Sequence, residues 1–300
     1  MKKYLITVLG LLLIVSLQTF AQTEKPFKLI EKGASLEQLS DEYIFTEGPA
    51  VDPQGNVFFT DQPNNRILKW STDGKLSVYM ENAGRSNGLY FDHEGNLLSC
   101  ADEKNQLWKI SPDKEVEVLI NDFQGKKLNG PNDLWVDPQG GIYFTDPFYK
   151  RPWWEHEEAE LEHKNVYYLS PDKKELRMVA DGFTQPNGII GSKDGKKLFI
   201  ADIGASKTYV YDVASDASLS NRTLFAEMGS DGMTLDHKGN LYITGKGVTV
   251  FNKKGKQIGH IDVPEDWTAN VTFGGEEQDI LFITAKKSLF SLKMKVRGIR

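Results

Sequence analysis

Short apolar runs alternate with polar turns along most of the chain, and the alternation repeats. "TEGPAVDPQGNVFFTD" (46–61) reads as strand, turn, strand around the turn signal "DPQG". The unit returns as "SNGLYFDHEGNLLSCAD" from Ser86, "PNDLWVDPQGGIYFTD" from Pro131, "PNGIIGSKDGKKLFIAD" from Pro186, "SDGMTLDHKGNLYITG" from Ser230 and "ANVTFGGEEQDILFITA" from Ala269. A third run follows each ("RILKW", "QLWKI", "NVYYL", "TYVYDV", "VTVFN", "SLFSLKM"), and a fourth follows some ("LSVYM", "VEVLI", "LRMVA"). The equivalent positions Gly48, Gly88, Asp133, Gly188, Gly232 and Val271 lie 40, 45, 55, 44 and 39 residues apart. A period in the forties made of short strands predicts an all-β fold, a six-bladed β-propeller over residues 22–300 with four strands per blade. The sixth unit supplies only three strands. An open sheet edge invites aggregation, so "FKLIEK" (Phe27–Lys32) is expected to cover it and join the two chain ends in one blade.

The first strand of each propeller blade lines the central channel. The residue just ahead of each first apolar run should therefore belong to a ring around the axis: Glu47, Asn87, Asn132, Asn187, Asp231 and Asn270. All six are carboxylates or carboxamides. Asn-Gly and Asp-Gly pairs are also common in turns, but here they recur at one phase of a repeat. Such oxygen donors suit a hard divalent cation, calcium ahead of magnesium or manganese, and zinc is disfavoured because no histidine occupies the ring. The second strands return to the same opening and end at Asp61, Asp102, Asp146 and Asp202, which are expected to cap loops. Asp146 has an alternative role in holding substrate, because Phe148, Tyr149 and an insertion follow it. That insertion, "PFYKRPWWEHEEAELEHKN", carries Trp153 and Trp154 and an acidic run with helical propensity. It predicts a short helix or lid whose tryptophans pack on a sugar ring.

Composition narrows the class. Residues 1–21 combine Lys2 and Lys3, an apolar run and small residues at Thr19 and Ala21, which reads as a secretory signal peptide and predicts a periplasmic or secreted protein with no membrane attachment after cleavage. Removing the two lysines changes the formal charge from −6 to −8, which argues against nucleic acid as a partner and mildly favours a cation. Cys100 is the single cysteine and lies in the strand-like "NLLSCAD", where core filler is the expected role. Oligomeric state is not legible.

"TEGPAVDPQG", "PNDLWVDPQGGIYFTDP", "QPNGII" and "SDGMTLD" resemble the motifs of the SMP-30/gluconolactonase/LRE-like family, to which diisopropylfluorophosphatase and the paraoxonases are related in arrangement. The resemblance spans nearly the whole mature chain. It implies a propeller with one divalent ion in its channel, calcium by first choice, with magnesium, manganese or zinc as the other candidates. It also implies that Glu47, Asn187 and Asp231 ligate the ion, and that Asn132 completes the site or holds substrate. Asp231 would act further as general base or nucleophile. Asn87, Asn132, Asp146, Tyr149, Trp153 and Trp154 are the residues expected around a small lactone. Some animal members carry an arginine two positions before the asparagine matched by Asn132, where this chain has Gly130. The reaction implied is metal-assisted attack of water on an aldonolactone carbonyl. A phosphotriesterase or aryl-lactone hydrolase of the same fold, and a non-catalytic propeller locked by calcium, remain the alternatives at this point.

Overall fold

A computed structural model describes residues 28–299. The signal-peptide segment 1–21 lies outside the described residues. Six four-stranded antiparallel sheets make the body. Blade 1 runs Thr46–Val51, Val57–Asp61, Arg66–Trp70 and Leu76–Glu81 from the axis outward. Blades 2 to 5 open on Ser86–Phe91, Leu134–Val136, Pro186–Gly191 and Met233–Leu235, and blade 6 opens on Asn270–Gly274. The innermost strand of each blade packs against those of both neighbours, the sixth against the first, so the ring is closed.

Burial falls from the axis outward and explains which strands the sequence announces. Thr46–Val51 is buried almost throughout, whereas Leu76–Glu81 is mostly exposed. Outer strands therefore need little apolar alternation. Two of them, Leu219–Ala226 in blade 4 and Gln257–Ile261 in blade 5, carry no clear periodic signal. Blade faces meet through aliphatic and aromatic contacts such as Phe58 against Phe91, with ring centres 5.0 Å apart. The inner hairpins of blades 1, 2, 3 and 5 turn on an aspartate whose Oδ1 accepts two backbone N–H groups: Asp52 takes those of Gln54 and Asn56, and Asp236 takes those of Lys238 and Asn240. That local bonding is why "DPQG" and "DHKG" sit where they do. Cys100 is fully buried in blade 2.

The two chain ends do share blade 6, but the closing strand is not the expected one. Glu37–Ser40 pairs antiparallel with Ser288–Lys293, with Glu37 opposite Ser291 and Gln38 opposite Phe290. Phe27 lies outside the described residues; within 28–32 only Ile30 makes a bridge, to Met294, while Leu29 and Ile30 pack on the core shared by blades 5 and 6. "FKLIEK" was the candidate because it precedes the first repeat. Its Leu29 and Ile30 serve packing, and the outermost position is filled by the half-exposed Glu37–Ser40.

The insertion at 147–164 contains no helix, which corrects the helical expectation. The acidic run is shorter than the ~12–15 residues at which an isolated helix becomes even marginal in water. Tertiary contacts decide its path instead. Trp154 donates its indole N–H to the Asp102 carbonyl (2.6 Å), and the Arg151 guanidinium pairs with the Asp102 carboxylate (Nε–Oδ2 2.7 Å).

Candidate active site

Five of the six ring residues, Glu47, Asn87, Asn132, Asn187 and Asp231, line one cavity of about 380 Å³ at the mouth of the channel. They converge for two local reasons. The inner strands shift register at this point, between Glu47 and Ala50 in blade 1, Ser86 and Leu89 in blade 2, and Pro186 and Ile189 in blade 4, and such a bulge re-aims a side chain. The glycine that follows lets neighbouring inner strands touch. A Cβ on Gly188 would lie 2.6 Å from the Asp231 carbonyl oxygen, and one on Gly232 would lie 1.8 Å from Asn270 Cγ. The recurring glycine thus marks close approach between blades and not a turn.

The sixth position departs from the ring. Asn270 donates Nδ2 to Glu47 Oε2 (3.4 Å), accepts from the Val271 N–H through Oδ1 (2.8 Å), and lines a larger cavity of about 520 Å³ at the opposite end of the channel.

A hydrogen-bonded chain organises the mouth. Asn187 Nδ2 donates to Asp231 Oδ1 and to the Tyr149 hydroxyl oxygen, both at 2.9 Å, and Trp267 Nε1 donates to Asp231 Oδ2 at 2.6 Å. With both amide hydrogens committed, the Asn187 side-chain oxygen is left for another partner. Glu47 accepts from the Gly48 N–H at 2.9 Å. The side-chain amides of Asn87 and Asn132, each only 4% exposed, have no hydrogen-bond partner among the described residues. Both amides stand on the cavity wall, where a ligand can bond to them.

Burial pushes the Glu47 carboxyl well above the usual carboxylate range, and the Asp231 charge adds to the effect. Asp231 is raised too, by burial, against the opposing hydrogen bonds from Trp267, Asn187 and Glu47. Two adjacent carboxyls whose charged forms burial disfavours, with asparagine side chains around them, fit a hard divalent cation that would relieve both. Among the described residues no three His, Cys, Asp or Glu side chains converge, so any ion in the mouth has two carboxylates and amide oxygens to bind.

The second ring divides. Asp61, Asp146 and Asp202 cap loops: Asp146 accepts the Asn129 and Gly130 N–H groups at 2.9 and 2.8 Å, and Asp202 accepts those of Thr184 and Gln185 at 2.9 and 2.8 Å. Asp146 is fully buried and absent from the cavity wall, so the substrate role offered for it is not supported; burial pushes its carboxyl to about 7. Asp102 instead meets the insertion, and burial raises its carboxyl to about 6 even beside Arg151.

Trp153 and Trp154 do not reach the cavity wall either. Trp153 lies against two guanidinium groups, with Arg85 at 4.6 Å and Arg151 at 5.7 Å from its ring centre. Trp154 stacks on His156 at 4.7 Å and fills the space beside Gly130, whose Cβ would meet the indole at 3.0 Å. The insertion reaches the cavity through Tyr149 and Arg151. Sequence reading missed Arg151, Trp267, Gln62 and Gln185, all on the cavity wall. Trp267 stands three residues ahead of the ring position Asn270, at the end of the loop entering blade 6, and that placement was the one available signal.

The profile of the SMP-30/Gluconolactonase/LRE-like region matches residues 45–287. A gluconolactonase of Zymomonas mobilis is 27% identical over 301 residues, covering 90% of this chain and 84% of that protein. The structure of a gluconolactonase from Xanthomonas campestris superposes with a TM-score of 0.82 at 32% identity, covering 87% of this chain and 90% of that one. A diisopropyl-fluorophosphatase of Loligo vulgaris is 25% identical over 266 residues, covering 79% of this chain and 84% of that protein.

Proposed function

Because the chain belongs to the SMP-30/gluconolactonase/LRE-like family, we propose that it is a metal-dependent lactone hydrolase that opens a sugar lactone of the gluconolactone type. The observation that carries the reading is the convergence of Glu47, Asn132, Asn187 and Asp231 on one cavity, with Asp231 held at both oxygens. These four residues would hold a divalent ion, calcium by first choice. Bound there, the ion would supply positive charge that polarises the lactone carbonyl and stabilises the developing oxyanion.

The chain's own residues do the rest. Asp231 takes the proton of the attacking water, its carboxylate held in place by Asn187 at Oδ1 and by the Trp267 indole at Oδ2. Asn187 ties that carboxylate to Tyr149, which stands on the cavity wall and orients substrate. Asn87 and Asn132 offer free amide groups to the substrate or the ion. Attack at the carbonyl carbon and rupture of the ring C–O bond give the open hydroxy acid. A phosphotriester in place of the lactone is the second reading, favoured by the likeness to the Loligo protein. We further propose export, with the mature chain beginning near Gln22.

The test is a panel of lactones and one phosphotriester, assayed with metal-stripped protein and after refilling with calcium, magnesium, manganese or zinc. Lactone turnover restored best by calcium is expected. Turnover of the phosphotriester alone supports the second reading, and turnover of neither removes both.

A further inference from the structure

Arg151 is the one basic side chain on the mouth cavity's wall among the described residues. It is held on three sides. Its Nε pairs with Asp102 Oδ2 at 2.7 Å, and Gln62 Nε2 donates to the same oxygen at 3.0 Å. Its guanidinium lies 5.4 Å from the Tyr149 ring centre and 5.7 Å from that of Trp153. The side chain is only 20% exposed, yet its two terminal nitrogens have no hydrogen-bond acceptor among the described residues. A guanidinium fixed on a cavity wall with its terminal nitrogens uncommitted is well prepared for a planar oxyanion, which it binds through two parallel hydrogen bonds. The charges agree. A divalent ion would offset Glu47 and Asp231, which leaves Arg151, paired on one side with Asp102, as the one cationic hydrogen-bond donor on the wall among the described residues.

We infer that Arg151 reads a carboxylate carried by the substrate, so that the preferred lactone is that of a dicarboxylic sugar acid with its second carboxylate free. The inference rests on the lactone-hydrolase reading for its chemistry but not for its recognition step. Hydroxyl groups on a neutral lactone would also bond to Arg151, but they would give no preference for the charged compound.

The experiment compares kcat/KM for an aldonolactone and the aldarolactone of the same ring size, using calcium-loaded parent, Arg151→Gln and Arg151→Lys. Binding of the corresponding open-chain aldonate and aldarate is followed by calorimetry, with thermal melts to confirm folding. The parent should favour the acidic lactone by roughly 10–100-fold, the scale of a charge-assisted hydrogen-bond pair. Arg151→Gln should abolish that ratio, and Arg151→Lys, which keeps the charge and loses the fork, should restore part of it. If both lactones are hydrolysed with a ratio that Arg151→Gln leaves unchanged, the inference is overturned and the hydrolase reading stands. If neither is hydrolysed while the aldarate binds the parent 10–100-fold more tightly than Arg151→Gln, the hydrolase reading fails and Arg151's role stands. Equal binding of aldonate and aldarate in the parent overturns the inference outright.

Discussion

The 2.6 Å bond from Trp267 Nε1 to Asp231 Oδ2 gives the indole an effect at the carboxylate that its bulk alone would not have. Trp267→Phe keeps an aromatic wall and deletes one donor to a charged group, a loss that typically amounts to about 1.5–3 kcal/mol. Steady-state kinetics should show kcat reduced roughly 10–100-fold with KM nearly unchanged. An increase in KM alone would make Trp267 a wall and nothing more. Asp146 offers a test at pH. Its carboxyl is raised from 3.8 to about 7 by burial, so the folded state binds the proton more tightly than the unfolded chain. Stability from this group is fully present below pH 4 and is lost as pH rises through about 7. The melting temperature of the parent should therefore fall relative to that of Asp146→Asn between pH 4 and 7 and run parallel above; parallel curves throughout would refute the shift. Glu47, Asn187 and Asp231 were legible because a repeat fixes their phase. Trp267 and Arg151 were not, because loop paths bring them in and no period governs a loop.

At the level of elements, tertiary contacts place both the insertion and the closing strand. The sequence of 147–164 marks it as extra chain with adjacent tryptophans, but its path is set by partners outside it: Asp102 takes Trp154 through its carbonyl and Arg151 through its carboxylate, Gln185 donates to the Phe148 carbonyl, and Asn129 donates to the His163 carbonyl. Trp154→Ala should cost about 3–5 kcal/mol, the usual range for a buried tryptophan, and should loosen Arg151 as well. A melt that does not move would show that the insertion is held elsewhere. Removing residues 22–40 should uncover the edge of Ser288–Lys293. A fall in melting temperature of more than about 5 °C is expected, at roughly 2–4 °C per kcal/mol. Unchanged melting and solubility would mean that the edge does not need Glu37–Ser40.

Across the whole molecule, the six-blade architecture was readable because each blade repeats one strand-turn-strand unit and buries its inner strands almost completely. What the repeat could not reveal is the asymmetry of the channel. Five ring residues open on the mouth, while Asn270 drops toward the cavity at the other end. Convergence of unlike blades on one point gives Asp231 two neighbours from other blades, Asn187 of blade 4 and Trp267 of the loop entering blade 6. In the proposed reaction Asp231 acts as a base as well as a ligand. The most direct test is kcat for lactone hydrolysis by Asp231→Asn at saturating calcium, with occupancy measured by calorimetry and Glu47→Gln as the comparison that loses one charge but no base. With the site filled, Asp231→Asn should stay slower than the parent by roughly 10²–10⁴-fold, while Glu47→Gln recovers much of its rate. A fully loaded Asp231→Asn turning over at the parental rate would contradict the account.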